Sequence, residues 1–178
     1  ENSDNKEETE QTTMPISETE PSCGTIQADT TWSSGTLSNG ELIVESGVTL
    51  TITGLLTIRG KVTIKGGGTI LRGTNSAYFS VISGADLTIG DVMLEGNSLS
   101  SNYSLIEVNR SKLTLDNGCH IQNCIKSNSG AILIVGGGAI WTNTGSIVLN
   151  NVIIENCSAN SEGGAICVQE GSSVTINC

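Results

Sequence analysis

Six cysteines, one histidine and a thin scatter of acids are the side chains of this chain with the types to do chemistry. The cysteines are Cys23, Cys119, Cys124, Cys157, Cys167 and Cys178, and no two form a Cys-x-x-Cys pair. His120 is the sole imidazole. Thiolates and imidazoles at fixed close spacing make a zinc site, so no metal is expected here. Glycosidic hydrolysis takes two carboxyl groups roughly 5–10 Å apart. A polysaccharide lyase takes a calcium-binding acid cluster beside a basic residue. The acids of the Gly-rich region are dispersed: Asp86, Asp91, Glu95, Glu107, Asp116, Glu155, Glu162 and Glu170. Glu95 and Glu155 align, but Gln122 stands between them and breaks an acid ladder. Arg59, Arg72 and Arg110 read as isolated, and His120 reads as an exposed or turn residue. No residue is assigned a catalytic role, no cofactor is expected, and the chain reads as a non-enzyme.

The elements that position these residues repeat. Gly137-Gly138-Ala139-Ile140 returns as Gly163-Gly164-Ala165-Ile166, a shift of 26 (163 − 137). Leu87-Thr88-Ile89, Leu113-Thr114-Leu115 and Ile147-Val148-Leu149 are equivalent, the first two also 26 apart (113 − 87). Ile121-Gln122-Asn123-Cys124 matches Ile154-Glu155-Asn156-Cys157 at a spacing of 33 (154 − 121), which an insertion near Ala131 to Gly138 explains. Upstream, Leu50-Thr51-Ile52, Leu56-Thr57-Ile58 and Val62-Thr63-Ile64 are strand-like triplets punctuated by glycine. Short β-rich runs separated by Gly, Asn and Ser, at a period between 20 and 50, mean stacked coils.

Composition agrees. With 22 Gly, a single Phe and an apolar content dominated by Ile, Leu and Val, small aliphatics stacked in columns fill a narrow interior. A formal charge of −10 with eight Lys plus Arg opposes nucleic-acid binding. No apolar run reaches the roughly 18 residues of a membrane span. Outward threonines recur at Thr51, Thr57, Thr63, Thr88, Thr114 and Thr175, but Val148 interrupts the row and argues against an ice-binding face.

Three segments follow. Residues 1–21 carry seven acids against Lys6 and no Gly, and read as a disordered acidic linker. Residues 22–40, with Trp32 and the turn Asn39-Gly40, read as a cap over the first sheet edge. Residues 41–178 read as a right-handed parallel β-helix, since crossovers between parallel strands are overwhelmingly right-handed. Alternation sends Val48, Leu50 and Ile52 inward and the intervening threonines outward. Matching coil to coil predicts one inward column of Ile82, Ile106, Ile140 and Ile166, and another of Ile89, Leu115, Leu149 and Ile176.

The turns should use Asn123 and Asn156 in left-handed backbone, stacked so that their amides bond each other in a ladder. Gly137, Gly138, Gly163 and Gly164 supply positive φ or close coil approach. Cys124 and Cys157 fall in one column of adjacent coils, where backbones are about 4.8 Å apart. Two outcomes stay open there: a disulfide, or an unbonded stack.

Paired Gly-Gly-Ala-Ile tetrapeptides, each with an apolar-x-x-Asn element, resemble the repeats of polymorphic outer-membrane proteins and related pectin-lyase-like β-helix adhesins of bacterial surfaces. The first motif is matched by residues 137–140 and 163–166, and the second by His120 to Asn123 and Ile153 to Asn156, without the family's Phe. The resemblance implies a non-catalytic extracellular surface segment, an adhesin or stalk, with a host-cell or glycan ligand. The alternative it implies is a carbohydrate-active β-helix enzyme, a lyase or hydrolase, whose active site is weak or lies elsewhere. Because Val174 to Cys178 aligns with Ile147 to Asn151, the chain reads as a fragment stopping in mid-coil, whose bare edge should drive self-association.

Overall fold

The computed structural model describes residues 17–127, 138–161 and 163–178. Gly137, most of the insertion near Ala131, Glu162 and residues 1–16 of the acidic segment lie outside the described residues. Among the described residues the chain is a parallel β-helix without an α-helix. One face is a seven-stranded parallel sheet of Ser17–Glu18, Thr30–Trp32, Thr49–Ile52, Thr69–Arg72, Met93–Glu95, His120–Gln122 and Ile153–Glu155. A second sheet of eleven strands bends around the rest of the coil. A third, of three short strands, joins Ser100–Ser101, Ile125–Lys126 and Ser158–Ala159.

In the lower coils the eleven-stranded sheet is built from two long strands, Gly35–Val44 and Leu55–Lys65. Each bends at one residue in left-handed backbone, Asn39 (φ 46°) and Gly60 (φ 64°), and the Asn39 side-chain oxygen accepts from the Lys61 N–H at 3.0 Å. Higher up the same corner breaks each long strand in two. Tyr78–Ile82 and Asp86–Ile89 are followed by Ile106–Asn109 and Lys112–Leu115, then by Ile140–Asn143 and Ser146–Asn150. Ser83, Arg110 and Thr144, with φ of 59°, 49° and 52°, turn that corner in successive coils. Left-handed backbone costs an L-residue about 1–2 kcal/mol, and inter-coil hydrogen bonds offset it. One of these runs from the Arg110 N–H to the Asn143 carbonyl at 3.0 Å.

The core follows from alternation. Along Leu56, Ile58, Val62 and Ile64 every second side chain is fully buried, with the intervening Thr57 and Thr63 half-buried on the outer side. Ile64, Ile89, Leu115, Leu149 and Ile176 stand in register as one column. Ile176, on the last row of the stack, is 65% exposed. Leu50 and Ile52 are buried as the alternation requires, and Val48 is half-buried against the same core. Burial of each such side chain contributes about 1.5–3 kcal/mol.

The other column corrects the sequence reading. Leu56, Phe79, Ile106, Ile140 and Ile166 are in register, so Phe79 holds the inward seat and Ile82 does not. Ile82 pairs with Asn109 at the end of its strand and faces outward, half-buried. Matching Ile to Ile by type put it three residues out of place, because that coil fills the seat with the chain's one Phe.

At the lower end, residues 22–40 hold Gly24–Ile26, Thr30–Trp32 and the first part of Gly35–Val44, all paired in parallel with the coils that follow. Ser17–Glu18, inside the segment read as linker, pairs with Thr30–Thr31. The Trp32 side chain is buried, and its Nε1–H donates to Thr19 Oγ1 at 3.0 Å.

Candidate functional site

The repeated tetrapeptides pack directly on one another. Gly138 N–H donates to the Gly164 carbonyl, and those of Ala139 and Ile140 both donate to Ala165, each at 3.0 Å. Ile140 then pairs with Ile166. At Gly138 a Cβ would run into the carbonyl oxygens of Gly164 and Ser158, so close coil approach demands the glycine. Gly163 has φ of 56° and leaves a Cβ no room beside the Ile166 carbonyl. These motif residues are therefore structural joints between coils.

Asn123 and Asn156 both adopt left-handed backbone, with φ of 56° and 53°. The expected amide ladder between them is replaced by another arrangement. Asn123 Nδ2 donates to both Glu95 carboxylate oxygens at 3.1 and 3.0 Å, joined by Gln122 Nε2 at 2.7 Å. A carboxylate is the stronger acceptor, and Glu95 sits in register one coil below Gln122. Asparagine ladders form at another corner instead, from Asn151 to Asn117 at 3.3 Å and from Asn177 to Asn150 at 2.7 Å. His120 lies in a strand rather than a turn, with Nε2 at 2.9 Å from Glu155 Oε1.

The polar side chains that the structure does bring together escaped the sequence reading. In Thr69–Arg72 the alternation places Arg72 inward, level with Ile52, and the side chain is wholly buried. Its Nε–H donates to the Ala77 carbonyl at 2.9 Å and its Nη2 to the Tyr103 carbonyl at 3.4 Å. Nη1, also buried, meets no partner among the described residues. Burial pulls the Arg72 guanidinium pKa down, against the opposing pull of Cys124 and Glu107.

Lys126, in the short third sheet, is equally buried, and its Nζ donates to Ser104 Oγ at 3.4 Å. Desolvation lowers its pKa, and Glu107 works in the opposite direction. Glu107 stands half-buried in an outward row between Ser80 and Trp141. Burial raises its pKa, countered by Lys126, by a backbone hydrogen bond from Ser104 and by Arg72. Beside them the rings of Tyr78 and Tyr103 stack at 4.4 Å with 5° between their planes. Burial first, then Glu107, pushes Tyr78 up to about 12. Two cations, one acid and an aromatic pair thus gather where the longer coils add residues between the first and second sheets.

The only sequence signal for this cluster was the parity of Arg72 with Ile70. Two residues apart on a strand, they must face the same way. Lys126 gave none, because the side that buries it is made by Ser104 of the coil below.

Cys124 and Cys157 follow the two left-handed asparagines and are both thiols. On the outer surface a second feature stands out, a shallow groove of about 390 Å³. It runs along the Thr63–Thr88 row and carries Lys65, Asp91, Asp116 and Asn117. Among the described residues no group of three His, Cys, Asp or Glu side chains converges as a metal site, and no helix is long and apolar enough to cross a membrane. No family model, curated protein or solved structure matches the chain.

Proposed function

We propose that this chain is a non-catalytic, extracellular surface segment, a stalk or adhesin that displays a binding face along a stiff parallel β-helix. The observation that carries the reading is the unbroken register of the outer rows. Thr63, Thr88 and Thr114 stand opposite one another in three consecutive coils, flanked by Lys61, Asp86 and Lys112. Each coil advances the row by about 4.8 Å, so a repeating ligand meets evenly spaced hydroxyls and charges on a surface that loses little entropy on binding. The groove lined by Thr63, Lys65, Thr88, Asp91, Asp116 and Asn117 offers donors and acceptors suited to a glycan's hydroxyl groups.

The test is binding of the purified protein to a glycan array and to intact cells, with the products of a polysaccharide panel analysed in parallel. Binding without cleavage is the expected result. It should be lost in a Thr63→Arg/Thr88→Arg variant whose thermal midpoint is unchanged. Release of reducing ends or unsaturated uronates would replace this reading with the enzymatic one.

A further inference from the structure

Cys124 and Cys157 occupy the corner at which two consecutive coils leave the seven-stranded sheet. Their neighbours fix them opposite each other. Gln122 pairs with Glu155 just before them, and Ile125 pairs with Ser158 just after. The Ser158 N–H donates to the Cys124 carbonyl at 2.8 Å. Adjacent parallel strands hold such Cα atoms about 4.8 Å apart, inside the roughly 4.4–6.8 Å that a disulfide spans. Each sulfur also takes the same orientation. Cys124 Sγ donates to the Gln122 carbonyl at 3.4 Å, and Cys157 Sγ to that of Glu155 at 3.1 Å. The two side chains therefore stack in parallel, one coil above the other.

The pair is chemically unequal. Cys124 is fully buried, while Cys157 is half-buried and open to solvent. The neighbouring Cys124 brings Cys157 down to about 7 against the effect of burial, and Arg72 adds a smaller lowering. The neighbouring Cys157, with burial, drives Cys124 upward. Glu95 nearby disfavours ionisation of both. Low pKa, partial exposure and a cationic neighbour are the marks of an attacking thiol, and a buried thiol in contact is the mark of its resolving partner. Cys119 shows the contrast, since burial alone pushes it up to about 12.

We propose that Cys124 and Cys157 are a redox-active pair that closes to a disulfide between adjacent coils, with Cys157 attacking and Cys124 resolving, and with a small-molecule disulfide as oxidant. In the first step the Cys157 thiolate attacks one sulfur of the oxidant. A mixed disulfide forms at Cys157, the oxidant's S–S bond breaks, and one thiolate leaves to take a proton from water. In the second, Cys124 attacks Cys157 Sγ and its proton passes to the departing half of the oxidant, which leaves as a thiol. Two protein thiols are oxidised and one disulfide is reduced to two thiols. The inference is independent of any ligand bound on the outer rows.

The experiment incubates the reduced full chain with oxidised glutathione, followed by proteolysis and mass mapping without reductant. A peptide joining Cys124 to Cys157 is expected as the main product. Cys124→Ala should stop at the first step and accumulate one glutathionyl group on Cys157, with the midpoint of its pH–rate profile above that of the parent's first step, because the thiol that lowers Cys157 is gone. Cys157→Ala should form an adduct at Cys124 at least tenfold more slowly. The valine versions of both repeat the comparison should a small side chain loosen the corner. A protein that stays reduced in excess oxidant, a disulfide mapped to any other two of the six cysteines, or equal rates at the two positions would overturn the assignment.

Discussion

The lower and upper coils of this β-helix solve the same packing problem with different amounts of chain. From Leu56 to the register-equivalent Phe79 the chain takes 23 residues (79 − 56), while from Ile106 to Ile140 it takes 34 (140 − 106). The lower coils run in two long strands over an interior of Leu37, Leu42, Leu56, Ile58, Val62 and Ile64. The upper coils keep the same aliphatic columns but add residues at one corner, where the three-stranded sheet forms. Arg72, Lys126, Glu107, Cys124 and Cys157 all gather on that side. The aliphatic columns make the rod, and the added chain at the corner makes the chemistry. A solenoid tolerates this because each coil touches only its neighbours, so a local enlargement leaves the stack intact.

A charge placed in an aliphatic column should disturb the coils most severely. Ile140→Asp buries an unpaired carboxylate where no water reaches, and should cost more than about 4 kcal/mol. In a stack with nearest-neighbour coupling, hydrogen exchange should show loss of protection in the upper coils while Leu55–Lys65 stays protected. Ile58→Asp should give the reverse pattern. Uniform loss in both variants would mean that the two regions unfold as one unit.

Phe79→Ala comes next. Phe79 is the largest member of its column and sits where the long-strand coils give way to the split ones. The cavity should cost about 3–5 kcal/mol, measured by denaturant unfolding. Ile82→Ala, the counterpart from the same strand, should cost clearly less because that side chain faces outward. Equal losses would contradict the register.

A smaller effect separates the polar side of the upper coils from the lower ones. The folded-state pKa of Glu107 is raised above its ordinary 4.5 by burial. Between that ordinary value and the raised one, the folded chain holds a proton that the unfolded chain has released. Stability therefore falls as pH rises through this window, and the loss persists above it. Glu107→Gln removes the titration, so its thermal midpoint should gain on the parent's as pH rises through the window and then run parallel. Parallel curves throughout would show that Lys126 and Arg72 already cancel the desolvation. The lower coils place Ser80 and Thr57 in the same row and should contribute no such slope.

The smallest effect belongs to the surface of the lower coils. Lys65 Nζ pairs with Glu41 Oε1 at 2.9 Å, but both side chains are about half exposed. Lys65→Ala should change stability by less than about 1 kcal/mol, with that change vanishing at high salt.

The parallel coil, its two aliphatic columns apart from one seat, and the left-handed corners at Asn123 and Asn156 are legible in the residue pattern alone. These are local consequences of a two-residue alternation and of which residues tolerate positive φ. Contacts between coils settle the rest. Phe79 rather than Ile82 fills its column, because register is fixed by the coils on either side and not by residue type. Asn123 turns to Glu95 rather than to Asn156, because the coil below places a carboxylate within reach. Arg72 reads as an isolated cation and Lys126 gives no signal of its own, until the carbonyls of Ala77 and Tyr103 and the hydroxyl of Ser104 close around them. A side chain's burial depends on what neighbouring coils put over it, and those neighbours lie some 20 to 35 residues away along the chain, beyond the reach of any local pattern.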